Sequence, residues 1–200
     1  MSGSSAESLL REAASEQDRL QRHLLVAAAL HAALSDEPIV VGGTAEEFHV
    51  AAEYHETDLD LCGRLTPADR STLHALGFRK RGRHWFHDAS KVAVEFPEER
   101  IDGDEGRIER LAISGGTAAI IGVDDLYLDR LRQATAPFRP DGSIEFQSAL
   151  AVAAGGFDRI DRRYVLRRIR EIEAEDRRLA TSMRALDSKI MRRVRRVLPT

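Results

Sequence analysis

Asp58 and Asp60 sit in TDLDLCG, a segment that alternates strictly between polar and apolar residues. Alternate side chains on an extended chain share a face, so a strand here projects both carboxylates together and turns Leu59 and Leu61 the other way. Paired carboxylates suit phosphoryl transfer assisted by two metal ions, because Mg²⁺ takes oxygen ligands and is shared between protein and phosphate. The triplet alone decides little: with acids at about one residue in six, an acid–apolar–acid pattern arises by chance about twice in such a chain.

Three further features single it out. The run VVGGT ends 14 residues before Asp58, and Gly42 and Gly43 permit close backbone approach to phosphate oxygens where a helix N-terminus would offer free N–H groups. Glu95, in the strand-like VAVEF, can bring a third carboxylate from a neighbouring strand. Thr57 can hydrogen-bond a carboxylate or a nucleotide. Two of these features also have a plain structural alternative: a strand-to-helix turn for the glycines, an exposed strand face for Glu95. The strings Gly115–Gly116–Thr117 and Gly155–Gly156 repeat the glycine pattern, but neither is followed by a strand bearing two acids.

The elements that must position these residues follow from periodicity. Residues 6–34 lack Pro and Gly and read as one or two amphipathic helices. Ile39, Val40 and Val41 form a short buried strand, Thr44 can cap the next element, and AEEFHVAAEY reads as a helix with acids in its first turn. TPADRSTLHALGF has an N-cap threonine, a proline at the first helical position and a closing glycine. RHWFH and KVAVEFP make a hairpin candidate, and RIERLAI and TAAIIG can add edge strands. From Asp124 onward only helices are expected, at about 124–135, about 143–154 and about 161–198, with Phe138–Gly142 as a turn or linker. The expected fold is therefore α/β or α+β, a small sheet domain followed by a helical part. Its divisions are residues 1–36, a helical segment; 37–122, the core; and 123–200, a helical region with a basic tail.

Composition narrows the classes further. The chain has 200 residues, 42% hydrophobic and 32% charged, with no apolar run near the length of a membrane span. The start, MSGSSAES, lacks the features of a secretory leader, so a cytoplasmic location without membrane association is expected. A single cysteine, Cys62, closes no internal disulfide. Residues 158–200 carry a net +7 and residues 1–157 a net −10. The C-terminal arginines either dock an amphipathic helix on the acidic part of the molecule or contact a nucleic-acid backbone. His84 and His87, three apart on a strand, face opposite sides and share no ion; His49 and His55 have no third partner in sight. Trp85 and Phe86 read as packing residues, and Cys62 as a small buried one.

The block VVGGTAEEFHVAAEYHETDLDL resembles the signature of the nucleotidyltransferase fold of the DNA polymerase β superfamily, with VAVEF at the position of its later carboxylate strand. The threonine before the aspartates and the segment IIGVDDLYLDRL are similar to small bacterial and archaeal nucleotidyltransferase-like proteins and, more distantly, to abortive-infection and toxin–antitoxin nucleotidyltransferases. The likeness spans about residues 37–155. It implies a mixed sheet with flanking helices, Asp58, Asp60 and Glu95 as ligands of two Mg²⁺ ions, and Gly42, Gly43 and Thr44 as the phosphate-side loop. Arg130, in LYLDRL, matches a recurring arginine and would contact phosphate, or else pair with Asp129 or Asp125. Glu95 departs from the commoner aspartate. The implied activity is transfer of NMP from an NTP to a hydroxyl of RNA (tRNA) or protein, with a cognate toxin or antitoxin as a further partner. The alternative is a non-catalytic protein of this fold that binds nucleic acid or a protein.

Overall fold

A computed structural model of the chain describes residues 3–51, 58–136 and 143–197. Two compact units make it up, one of Met1–Phe48 with Glu53–Gly122, the other of His49–Ala52 with Val123–Thr200. Phe138–Gly142, Thr57 and His55 lie outside the described residues.

The first unit begins with α1 (Gly3–Ser15) and α2 (Arg19–Ala33). Ala6, Leu9, Leu10 and Ala13 recur at helical spacing and are all buried, so α1 packs by one stripe. Asp18 separates the two helices by capping the second, accepting the Gln21 N–H at 2.8 Å. There follow β1 (Ile39–Val40), α3 (Gly42–Val50), β2 (Asp58–Cys62), α4 (Pro67–Ala75), β3 (Phe78–Arg81), β4 (His84–His87), β5 (Val92–Glu95), β6 (Glu109–Ile113) and β7 (Gly116–Ile120). They form a seven-stranded mixed sheet in the order β3-β4-β5-β2-β1-β7-β6, with β2–β5 and β1–β7 parallel. This is the α+β arrangement of a mixed sheet with flanking helices that the sequence led one to expect.

Several local expectations change. Thr44 does not cap α3: Gly42, at φ +64°, turns the chain straight from β1 into the helix, which leaves Thr44 inside it and Glu46 and Glu47 beyond its first turn. The segment FRKR is an additional strand, β3, joined to β4 by the two-residue turn Gly82–Arg83. Gly82 supplies a φ of +61°, as a type II′ hairpin turn requires of its first residue. Only Phe78 of that strand is buried, so it carries no alternating signal. Of the two expected edge strands, β6 is at the edge but β7 is interior, between β1 and β6. Where the signals were complete they hold: α4 has a full capping box between Thr66 and Asp69, with Pro67 at its start.

The second unit contains α5 (Val123–Ala134), α6 (Ile144–Gly155), α7 (Arg162–Glu175) and α8 (Arg177–Val197). The expected continuous helix over 161–198 breaks at Asp176, whose backbone is extended and whose carboxylate accepts the Leu179 N–H at 2.9 Å to restart the helix. Buried polar contacts join three of these helices. Tyr127 O–H donates to Asp187 at 2.9 Å, Arg162 pairs with the other oxygen of Asp187, and Tyr164 O–H donates to Asp125 at 2.6 Å.

In the first unit, buried His23 on α2 places Nδ1 3.0 Å from Thr44 Oγ1 on α3. Burial first, then the charges of Arg19 and Arg22, lower its imidazole from near 6.5 to about 4 against an opposing pull from Asp58. His23 is therefore neutral when folded at pH 7. Unfolding between pH 6.5 and 4 takes up a proton here, so this contribution to stability is whole above pH 6.5 and is lost as pH falls toward 4. The expected loss is about 3 kcal/mol. His23→Gln removes that part of the slope, as urea midpoints measured across this range will show; parallel curves for the two proteins contradict it.

Candidate active site

The carboxylates are assembled by strand register. In the parallel pair β2–β5, Asp60 lies opposite Glu95 and Asp58 opposite Ala93. Register partners share a sheet face, so Asp58, Asp60 and Glu95 all project from one side, while Leu59, Leu61 and Val94 are buried on the other. Neighbouring strands run about 4.8 Å apart, so Asp60 and Glu95 project from adjacent backbone positions.

The turn into α3 closes on the same place. Val41 N–H donates to the Asp60 carbonyl at 3.0 Å, tying the end of β1 to β2. A Cβ built on Gly42 would fall onto Asp60 Oδ2. Glycine at this position thus serves two needs, a left-handed φ and the space taken by a carboxylate. Thr44, by contrast, is buried with its hydroxyl held by His23. Gly43, beside it, is buried in the same first turn.

His84 is the residue that sequence reasoning missed. The antiparallel β4–β5 register pairs Trp85 with Val94, which sets His84 beside Glu95 and on the carboxylate face. Its Nε2 is 3.0 Å from Asp58 Oδ2 and 3.4 Å from Glu95 Oε2. Arg83, at the hairpin turn, adds Nε at 3.2 Å from the same Glu95 oxygen. Alternation correctly separates His84 from His87, which is buried on the other face against Ser90. Finding His84 also needed the hairpin register across Asp88–Lys91, which places it level with Glu95.

Three carboxylates on one face are a donor set of the kind that hard divalent cations take. In the structure Asp58 contacts His84, and Glu95 contacts His84 and Arg83. Among the described residues no three or more His, Cys, Asp or Glu side chains are grouped to hold a metal ion. A cation binding at Asp58 and Glu95 would compete with His84 for their oxygens.

The remaining candidates lie apart from this face in the chain. Arg130 belongs to α5 in the second unit, where it is buried, with Nη1 2.7 Å from Gln133 Oε1 and 3.6 Å from Asp129 Oδ2. Arg192, Arg193, Arg195 and Arg196 are exposed on α8, whose apolar stripe, including Met183, Ile190 and Val194, is buried. Cys62 ends β2 as a buried thiol that burial, aided by Glu98, pushes up to about 12, so it is no nucleophile near neutral pH. No described helix is long and apolar enough to cross a membrane.

No family model matches the chain, and a search of curated proteins gives no match. Among solved structures it is similar to an antigenic nucleotidyltransferase-like protein from Paracoccidioides brasiliensis, with a TM-score of 0.53 and 12% sequence identity over 84% of this chain and 94% of that one. A solution structure of the antibiotic-resistance factor ANT(2'')-Ia also aligns, at a TM-score of 0.43 and 14% identity over 87% of this chain and 90% of the other. The first likeness, with the sheet and helix order above, defines the fold as nucleotidyltransferase-like.

Replacing Gly42 by alanine tests how tightly the turn is bound to Asp60. Gly82 has nearly the same φ but nothing within 4 Å of an added Cβ. Gly82→Ala should therefore cost only backbone strain, about 1 kcal/mol. Gly42→Ala should cost about 2 to 3 kcal/mol, because Asp60 must also move. Equal losses in urea unfolding contradict this placement.

Proposed function

We propose that this protein is a metal-dependent nucleotidyltransferase, moving NMP from an NTP to a hydroxyl acceptor. The observation that carries this reading is the register of β2 and β5, which sets Asp58, Asp60 and Glu95 on one sheet face beside the Gly42 turn into α3. The nucleotidyltransferase-like fold supports it.

The residues divide the work by position. The backbone of Gly42 and Gly43, at the start of α3, lies where N–H groups and the helix dipole favour the phosphates of the nucleotide. Asp58 and Asp60 would hold Mg²⁺, and Glu95 would complete one site and accept the proton of the attacking hydroxyl. The cation, when bound, supplies charge neutralisation at the triphosphate. Arg83 offsets the charge of Glu95, and the His84 imidazole lies within hydrogen-bond distance of Asp58 and Glu95. Arg130 is a candidate phosphate contact, by resemblance of its motif. Transfer to RNA (tRNA) or protein, in a toxin–antitoxin or defence setting, rests on the same resemblance.

A second reading has an observation in its favour: the contacts of His84 with Asp58 and Glu95 and the ion pair of Arg83 with Glu95 are what a purely structural polar cluster would show. The protein would then bind partners through this fold without catalysis. Thermal unfolding with Mg²⁺ and each of the four NTPs separates the two. A ligand at about 100 times its Kd stabilises by about 2.7 kcal/mol, which raises the Tm of a chain this size by about 5 to 10 °C. Asp58→Asn with Asp60→Asn should abolish that rise and leave stability in metal-free buffer within about 1 kcal/mol of the wild type, since it removes like charges along with the contact of Asp58 with His84. A markedly less stable double variant, together with no nucleotide effect in the wild type, makes the aspartates structural.

A further inference from the structure

The acceptor's chemical class can be read from the sheet face next to the carboxylates. In-line displacement puts the attacking and leaving oxygens on opposite sides of the α-phosphorus. The Gly42 turn lies on the β1 side of β2, so a triphosphate held there sends its leaving group toward β1 and α3. The acceptor must then approach from the other side, across β5, β4 and β3.

Strand register defines what it meets. Phe86 lies opposite Ala93 on β5 and Arg79 on β3, and Arg81 lies opposite His84. His84, Phe86, Arg79 and Arg81 therefore share the face of Asp58 and Glu95. The side chains follow one another outward: His84 touches Asp58, its ring is 5.8 Å from that of Phe86, and the Arg81 guanidinium stands 5.6 Å over the Phe86 ring. Arg79 pairs with Asp88, but both are at least half exposed, and such a surface pair is readily exchanged for a phosphate. Arg83 is 73% exposed at the turn.

Four cations, Arg79, Lys80, Arg81 and Arg83, thus occur within five residues, in a stretch, residues 1–157, that carries a net −10 even with them included. Guarding a sheet edge explains part of this, because β3 is an edge strand and lysine there discourages pairing with another chain. Lys80 faces the other way, over Trp85. Edge protection does not require Arg79 and Arg81 to flank an aromatic ring on the carboxylate face. Alternating guanidinium groups and an aromatic ring are the means by which proteins hold single-stranded nucleic acid, the cations taking phosphates and the ring a base.

We propose that β3 and β4 bind the single-stranded end of a polynucleotide and present its terminal hydroxyl as the acceptor. This rests on the nucleotidyl-transfer reading above. The hydroxyl oxygen forms a bond to the α-phosphorus while the α–β phosphoanhydride bond breaks. Pyrophosphate leaves with that electron pair, the hydroxyl proton passes to Glu95 and then to water, and the strand grows by one nucleotide.

The test uses the whole chain and a fluorescein-labelled oligouridylate about 12 nucleotides long, with binding followed by anisotropy between about 50 and 200 mM salt. Arg79→Gln with Arg81→Gln should reduce the slope of log K against log salt by about 1.4, or about 0.7 for each phosphate no longer neutralised. Arg79→Lys with Arg81→Lys should retain the slope, which separates charge from misfolding. Phe86→Leu should weaken binding about 5- to 150-fold at fixed salt without changing the slope. The Tm rise with Mg²⁺ and NTP should survive in all three. An unchanged slope in the glutamine variant overturns the proposal, whether or not that variant self-associates, and so does a wild type that does not bind the oligonucleotide at low salt. Loss of the NTP effect in the glutamine variant assigns these arginines to the triphosphate, which refutes the acceptor role and spares the transferase reading. Oligonucleotide binding as expected, with no NTP effect in the wild type, refutes the transferase reading and the acceptor role with it.

Discussion

Asp60 and Glu95 face each other across two parallel strands, so folding holds two carboxylates side by side, with Asp58 two residues away on the same face. Like charges at that spacing resist being ionised together unless cations answer them. The next hairpin supplies one such cation, Arg83 at Glu95, and its β4 register brings the His84 imidazole within hydrogen-bond distance of Asp58 and Glu95. The β3–β4 hairpin, which contributes little to the core beyond Phe78 and Trp85, is thereby tied to the site by charge.

Rigidity under this face comes from the other side of the sheet. Leu59, Leu61, Val94, Trp85 and Phe78 are all buried there, and the rings of His74 on α4 and Trp85 meet edge to face at 5.1 Å. Asp69 fastens α4: burial raises its carboxyl, but hydrogen bonds from Thr66 and Ser35 outweigh that and hold it at about 2. Around the turn, Gly42 leaves room for Asp60, and His23 holds Thr44 from α2. A site that handles charge needs its first contacts held by packed neighbours, and here each contact rests on an element with its own buried anchor.

Much of the fold was legible in the sequence because its signals were local. Thr66, Pro67 and Gly77 mark α4, the apolar run before Gly42 marks β1, and strict alternation marks β2. The face shared by Asp58 and Asp60 follows from that alternation alone. Long-range and charge-coded features were not legible. β3 reads FRKR, with one apolar residue and three cations, and is held by its hairpin rather than by an apolar pattern. Asp176 looks like one more charged residue of a long helix until its side chain is seen capping α8. The place of Glu95 opposite Asp60 depends on a parallel pairing over more than thirty residues of chain, and His84 became visible only once β4 was laid against β5.

The central claim is that these three carboxylates perform nucleotidyl transfer, and it is tested most directly by following the α-phosphate. Wild-type protein and Glu95→Gln are each incubated with Mg²⁺, the four α-labelled NTPs in turn, and cell extract, and the rate at which label enters macromolecules is measured. The account expects transfer by the wild type from at least one NTP and a rate lower by about 100-fold or more in Glu95→Gln, because its missing charge acts at the transition state. Equal rates in the two proteins, or no transfer from any NTP by the wild type, would contradict it.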